Sequence, residues 1–195
     1  MSEEGIGQMR TSNKTAALQL IRELEGGYTV DAGGPTNLGI TQTALDAFLR
    51  ANKLPAMSVK GIGPAIFEMF YTATYWEPYH CDALPEPLDA IWLQCVVNLP
   101  PMHAVRLLQL AAYVKPVDGI FGPETLAQVL KMQSAGVEEL LLQAQGGYYI
   151  GRENSLDQAG WLNRIAHCEE FLVAWSERAG GGGVIEDARV ASSRP

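Results

Sequence analysis

Between Pro87 and Asn98 runs LDAIWLQCVV, residues Leu88 to Val97, a segment that is apolar on nearly every side. Proline is tolerated in the first turn of a helix, where its missing N–H is no loss, so Pro87 opens the run and Asn98 closes it. A helix apolar all round must be enclosed all round. The rest of the chain is therefore expected to wrap further helices about this one. Asn98, a polar residue at the end of a buried helix, needs a partner there: either a backbone group it caps or a ligand across a cleft.

The flanking sequence supplies those helices. Pro64 opens a run with Phe67, Phe70, Tyr71 and Tyr75 on one face, ending near Trp76 before Pro78. The stripe reads as core, and Tyr75 and Trp76, at its outer end, are the candidates for stacking on a sugar ring. Pro101 starts a helix with Val105, Leu108 and Ala112 inward. Asp118 to Gly122 forms a tight turn, and Pro123 starts a helix with Leu126, Val129 and Leu130 inward. From Val137 the pattern is helical again, with Gly146 and Gly147 a weak point or a place of close approach. A last amphipathic helix carries Trp161, Leu162, Ile165, Cys168, Leu172 and Trp175. Only Tyr28 to Val30 and Leu38 to Ile40 suggest extended structure, enough for a small hairpin. The expected fold class is mainly α with a small β-hairpin lobe.

Polar chemistry concentrates in ELEGGYTVDAGGPTNLGIT, Glu23 to Thr41. Ser12 or Asn13 can cap a helix whose Ala17, Leu20, Ile21 and Leu24 fall at the 3.6-residue period, and Gly26 can end it in a left-handed cap. Glu25 then sits in the last turn, where the helix dipole and packing against Tyr28 both disfavour its charged form. A carboxylic acid that keeps its proton near neutral pH suits protonation of a poor leaving group such as a glycosidic oxygen. The plainer alternative is a surface helix that happens to end in Glu-Gly-Gly. Asp31 is either a second carboxylate in the same cleft or the residue that opens the DAGG turn. Thr36, Asn37 and Thr41 can orient water or bond a sugar, and Thr41 also stands where the helix Gln42 to Arg50 needs its N-cap.

These motifs together resemble glycoside hydrolase family 108, bacterial and phage muramidases whose catalytic glutamate lies in EGGY before a GGxTNxGIT loop. Further matches occur in order: Tyr75-Trp76, Val97-Asn98, AVRLLQ from Ala104, DGIFGPETL from Asp118 and GWLNR from Gly160. The resemblance covers about residues 14 to 176. It implies a lysozyme-like fold with the β-lobe beside the end of the catalytic helix, and cleavage of the β-1,4 bond between N-acetylmuramic acid and N-acetylglucosamine. Glu25 would be the general acid, Asp31 the second carboxylate, and Tyr28, Thr36, Asn37, Thr41, Tyr75, Trp76 and Asn98 substrate contacts. No cofactor is needed. The sequence departs from the family pattern in a shorter loop between Tyr28 and Gly33, in Gln94 where many members have Asp, and in VNLPP in place of VNxG. A non-catalytic wall-binding or phage structural protein and a lytic transglycosylase are the competing readings.

The organisation expected is a flexible stretch at 1–12, a catalytic region at 13–98, a helical region at 99–178 resembling a peptidoglycan-binding module and packed on it, and a Gly-rich flexible tail at 179–195. The net charge of −8 argues against nucleic acid or an anionic membrane as partner. Three cysteines, Cys81, Cys95 and Cys168, form no disulfide framework, and with no CxxC or HExxH pattern no metal is expected. Buried thiols are the expected role for Cys95 and Cys168. The opening MSEEGIGQMRTS lacks a signal-peptide pattern and no run suits a membrane span, so a cytoplasmic monomer exported by a holin or secretion machinery to peptidoglycan is expected.

Overall fold

The computed structural model describes residues 3–152 and 155–181. Among these are eight α-helices and a small sheet: α1 (Glu3–Glu25), α2 (Gln42–Ala51), α3 (Pro64–Tyr71), α4 (Leu88–Asn98), α5 (Pro101–Ala111), α6 (Pro123–Met132), α7 (Val137–Ile150) and α8 (Ser155–Gly181). The fold is mainly α and lysozyme-like. α4 is the central helix, with every residue from Leu88 to Val96 buried. It packs on α1 and α7, α7 packs on α5 and α8, and α8 returns to α1. One core cluster therefore contains residues of both halves of the chain, from Ala17 to Cys168.

Proline sets the starts of three helices, at Pro64, Pro101 and Pro123. Thr41 caps α2 by accepting a hydrogen bond from the Ala44 N–H at 3.1 Å. α1 departs from expectation: it already runs at Ser12 and Asn13, so neither caps it, and its start lies at Glu3. Its end agrees, with Gly26 at φ +68°. Residues 182–195, most of the Gly-rich tail, lie outside the described residues.

The β-lobe has three antiparallel strands in the order β1 (Thr29–Asp31), β2 (Gly34–Asn37), β3 (Ile40–Thr41), one more than the expected hairpin. Thr36 pairs with Thr29 on one side and Thr41 on the other. Two other side chains fall differently from the periodic reading: Leu130 and Leu162, expected inward, are 40% and 42% exposed. Cys81, Cys95 and Cys168 are buried free thiols. No described helix is long and apolar enough to cross a membrane, and no three described His, Cys, Asp or Glu side chains cluster to hold a metal ion.

Candidate active site

The end of α1 delivers Glu25 to a junction of three elements. From α8, Arg164 donates from Nη2 to Glu25 Oε1 at 2.8 Å, a pair in which the side chains are only 11% and 16% exposed. From the β2–β3 turn, the backbone of Gly39 lies directly against the carboxyl: a Cβ there would stand 2.5 Å from Glu25 Oε2 and 2.6 Å from the Tyr71 hydroxyl. Gly39 also has φ +73°, a conformation costly to any residue with a side chain. From α3, that same Tyr71 hydroxyl donates to the Leu38 carbonyl at 2.8 Å, tying the turn down. Thus a helix end, a turn and two distant side chains fix one carboxyl group.

Tyrosines continue the wall. Tyr71, Tyr75 and Tyr79 stack in series, with centroids 5.6 and 6.5 Å apart. The chain from Thr72 to Trp76 is a π-helical turn, which inserts extra residues into the helical repeat and rotates the side chains beyond it. Burial, and after it the charge of Glu25, push both the Tyr71 and Tyr75 hydroxyls above the usual tyrosine range. Tyr75 lies against Tyr71 and is only partly buried. Trp76 is rotated into the core at 5% exposure, which corrects the expectation that it offers a sugar a face.

The remaining candidates separate by what already engages them. Asp31 lies exposed on β1, where one carboxylate oxygen accepts the Gly33 N–H at 2.7 Å, so it does open the turn and keeps its second oxygen for other partners. Asn37 is buried and its amide donates to the carbonyls of Val59 and Lys60, fastening the lobe to the turn at Val59–Gly61. Its amide nitrogen is committed there. Thr41 is committed to the α2 cap, while Thr36, half-buried, remains in the middle strand. Tyr28 is 44% exposed with the Lys60 ammonium 5.3 Å over its ring.

Asn98 ends α4 at a second hollow, of about 440 Å³, lined also by Glu23, Trp161, Asn163, Arg164 and His167. It is reached from the core by a buried polar chain. Gln94 donates to Gln145 Oε1 at 2.7 Å, Gln145 donates to the Tyr149 hydroxyl at 2.6 Å, and that hydroxyl donates to Asn98 Oδ1. The Asn98 carbonyl is satisfied from inside, which leaves its amide N–H groups for the hollow. Asn98 is thus both tied into the core and presented at a cavity.

Three residues that matter to this geometry were not among the expected site residues: Gly39, Arg164 and Tyr71, the last of which reads from the sequence only as core. Gly39 and Arg164 lie inside the NLGIT and GWLNR motifs, which is the signal that marked them, though not their contacts.

The sequence profile described as glycosyl hydrolase 108 matches residues 18–99, which span Glu25, the β-lobe and all of α4. The solved structure of Brucella abortus SagA is similar to this chain with a TM-score of 0.66 and 28% identity, covering 84% of this chain and 95% of that one. Comparison with curated proteins gives no match.

Proposed function

We propose that this chain, whose residues 18–99 match the glycosyl hydrolase 108 profile, is a peptidoglycan hydrolase that cleaves the β-1,4 bond between N-acetylmuramic acid and N-acetylglucosamine, with Glu25 as general acid. The observation that carries this reading is the confinement of one carboxyl group at a helix end between Arg164, Tyr71 and the backbone of Gly39. Such fixing is what acid catalysis needs, because the proton must be held within hydrogen-bond reach of the leaving oxygen. Arg164 holds the carboxyl in position before substrate arrives, and a single oxygen, Oε2, stays turned toward the β-lobe.

Protonation of the glycosidic oxygen by Glu25 breaks the bond as positive charge builds on the sugar ring. Asp31 is the second carboxylate of this reading: its oxygen not bonded to Gly33 stabilises that charge or activates water, and Thr36 orients the water from the adjacent strand. Tyr28 and Tyr75 flank the sugar. No cofactor takes part. Residues 99–178, which resemble a peptidoglycan-binding region, contribute Arg164 to the site as well as a surface for the wall. The protein would be made in the cytoplasm, act as a monomer, and reach the wall through a holin or secretion machinery.

Digestion of purified sacculi, with mass spectrometry of the soluble muropeptides, tests the reading. Reducing N-acetylmuramic ends are expected. Anhydro ends would instead identify a lytic transglycosylase, and binding without any release would identify a non-catalytic wall-binding protein.

A further inference from the structure

The hollow beside the acid is walled by three helices: Glu23 comes from α1, Asn98 from α4, and Trp161, Asn163, Arg164 and His167 from α8. Its size, about 440 Å³, is within the range of small-ligand sites. What it offers a ligand is unlike a sugar platform. The Trp161 ring already stacks on Tyr149, with centroids 5.1 Å apart, and carries the Arg152 guanidinium 5.8 Å over it. The groups left to meet a ligand are charges of both signs and primary amides. His167 has its Nδ1 bonded to the Asn163 carbonyl at 3.0 Å; a carbonyl only accepts, so Nδ1 carries the proton and Nε2 is left for a ligand.

Arg164 joins this hollow to the acid. Its Nη2 is spent on Glu25, while its Nη1 is buried with no hydrogen-bond partner among the described residues. A buried donor on a charged group without an acceptor is a costly arrangement, and it calls for a carbonyl or carboxylate from outside.

We propose that the hollow takes the peptide stem carried by the muramoyl residue, and that Arg164 couples its occupancy to Glu25. This rests on the peptidoglycan reading above. A stem peptide presents what the walls complement: backbone amides for Asn98 and Asn163, an amide N–H for His167 Nε2, carboxylates for Arg164, and, where the stem contains a diamino acid, an ammonium for Glu23. A stripped muramoyl unit keeps only its lactyl carboxylate, so it can meet Arg164 but offers no peptide amides for Asn98 and Asn163 and no ammonium for Glu23. A stem carbonyl or carboxylate on Nη1 satisfies the orphaned donor and fixes the guanidinium from a second side, so its hold on Glu25 tightens when a correctly substituted muramoyl unit is bound. The enzyme would then act on peptide-bearing stretches of glycan in preference to bare ones.

The test compares glycan strands carrying their stems with the same strands stripped by an N-acetylmuramoyl-L-alanine amidase. The wild-type kcat/KM is expected to be at least about tenfold higher on the peptide-bearing strands, the equivalent of one charge-assisted hydrogen bond. Asn163→Ala and Glu23→Gln should bring the rate on peptide-bearing strands down toward that on stripped ones. Equal rates on the two wild-type substrates would overturn the proposal while leaving the hydrolase reading intact. If neither substrate is cleaved, the hydrolase reading fails, and co-sedimentation of the full chain with the two strand populations decides the cleft alone. Preferential retention on peptide-bearing strands supports it, and equal retention overturns it.

Discussion

Replacing Gly39 with alanine adds one methyl group and is expected to disturb the site more than any other change of that size. The new Cβ meets Glu25 Oε2 at 2.5 Å and the Tyr71 hydroxyl at 2.6 Å, both inside any tolerable contact. It also forces an L-residue to hold φ +73°. The backbone conformation alone costs about 1–2 kcal/mol. Pushing the Tyr71 hydroxyl off the Leu38 carbonyl, or the carboxyl off Arg164, adds about 1–3 kcal/mol for a buried polar group left unpaired. Gly39→Ala should therefore lose roughly 2–5 kcal/mol in urea unfolding, and a carboxyl displaced by about 1 Å should lose roughly a hundredfold in glycan turnover. The contact with Glu25 can be isolated by a double-mutant cycle. In a Glu25→Ala background part of the clash disappears, so Gly39→Ala should cost at least about 1 kcal/mol less there than in wild type. Additive costs would refute the claim that the turn is seated on the acid.

Other perturbations have clear signs. Asp89 is 3% exposed, and burial pushes its carboxyl from 3.8 up to about 7. For an acid raised on folding, the stabilisation is full below the unfolded value and is lost as pH rises through about 7, a loss of up to roughly 4 kcal/mol. Asp89→Asn can still accept the Ala90 N–H, so its stability should fall less than that of wild type between pH 4 and 8 and exceed wild type at pH 8; parallel pH profiles of the two proteins in thermal melts would contradict this. Arg164→Ala leaves Glu25 without its partner and should cost about 2–4 kcal/mol, discounted from a fully buried pair for the remaining exposure, with Arg164→Lys recovering part of the stability in the same melts. Gln145→Leu leaves Gln94 unpaired and should cost about 1–3 kcal/mol by chemical denaturation, while Gln94→Leu together with Gln145→Leu should cost less than the sum of the two single changes.

Much of the fold was legible because it is written in local rules. All-round apolarity marked α4, three prolines marked helix starts, and Thr41 marked its own cap. What failed depended on neighbours the local pattern does not contain. A helical repeat continued evenly from Pro64 leaves Trp76 at an exposed end, but the π-helical turn at Thr72–Trp76 rotates it inward. Leu130 and Leu162 sit at positions a strict 3.6 period buries, yet the elements that would cover them are absent from those faces among the described residues. At the site, Glu25 and the turn after it stand out as a polar run between glycines. Arg164 lies far along the chain and reaches Glu25 only because α8 folds back onto α1, so no spacing rule connects them. The sequence pointed to the helix end and Tyr28 as neighbours of Glu25 and gave no sign of that guanidinium. Asn37 also carries a job that its place in the motif does not reveal, since its amide N–H groups fasten the lobe to Val59 and Lys60.

The measurement closest to the central claim is muropeptide release by the Glu25→Gln protein beside wild type, with circular dichroism and an unfolding curve recorded on the same samples. Glutamine keeps the shape of the side chain and can still accept from Arg164, but it has no proton to give. The account predicts a folded variant whose release of reducing ends falls by at least about a thousandfold. A folded variant that releases them at the wild-type rate would contradict it, and the acid would have to be sought elsewhere on the chain.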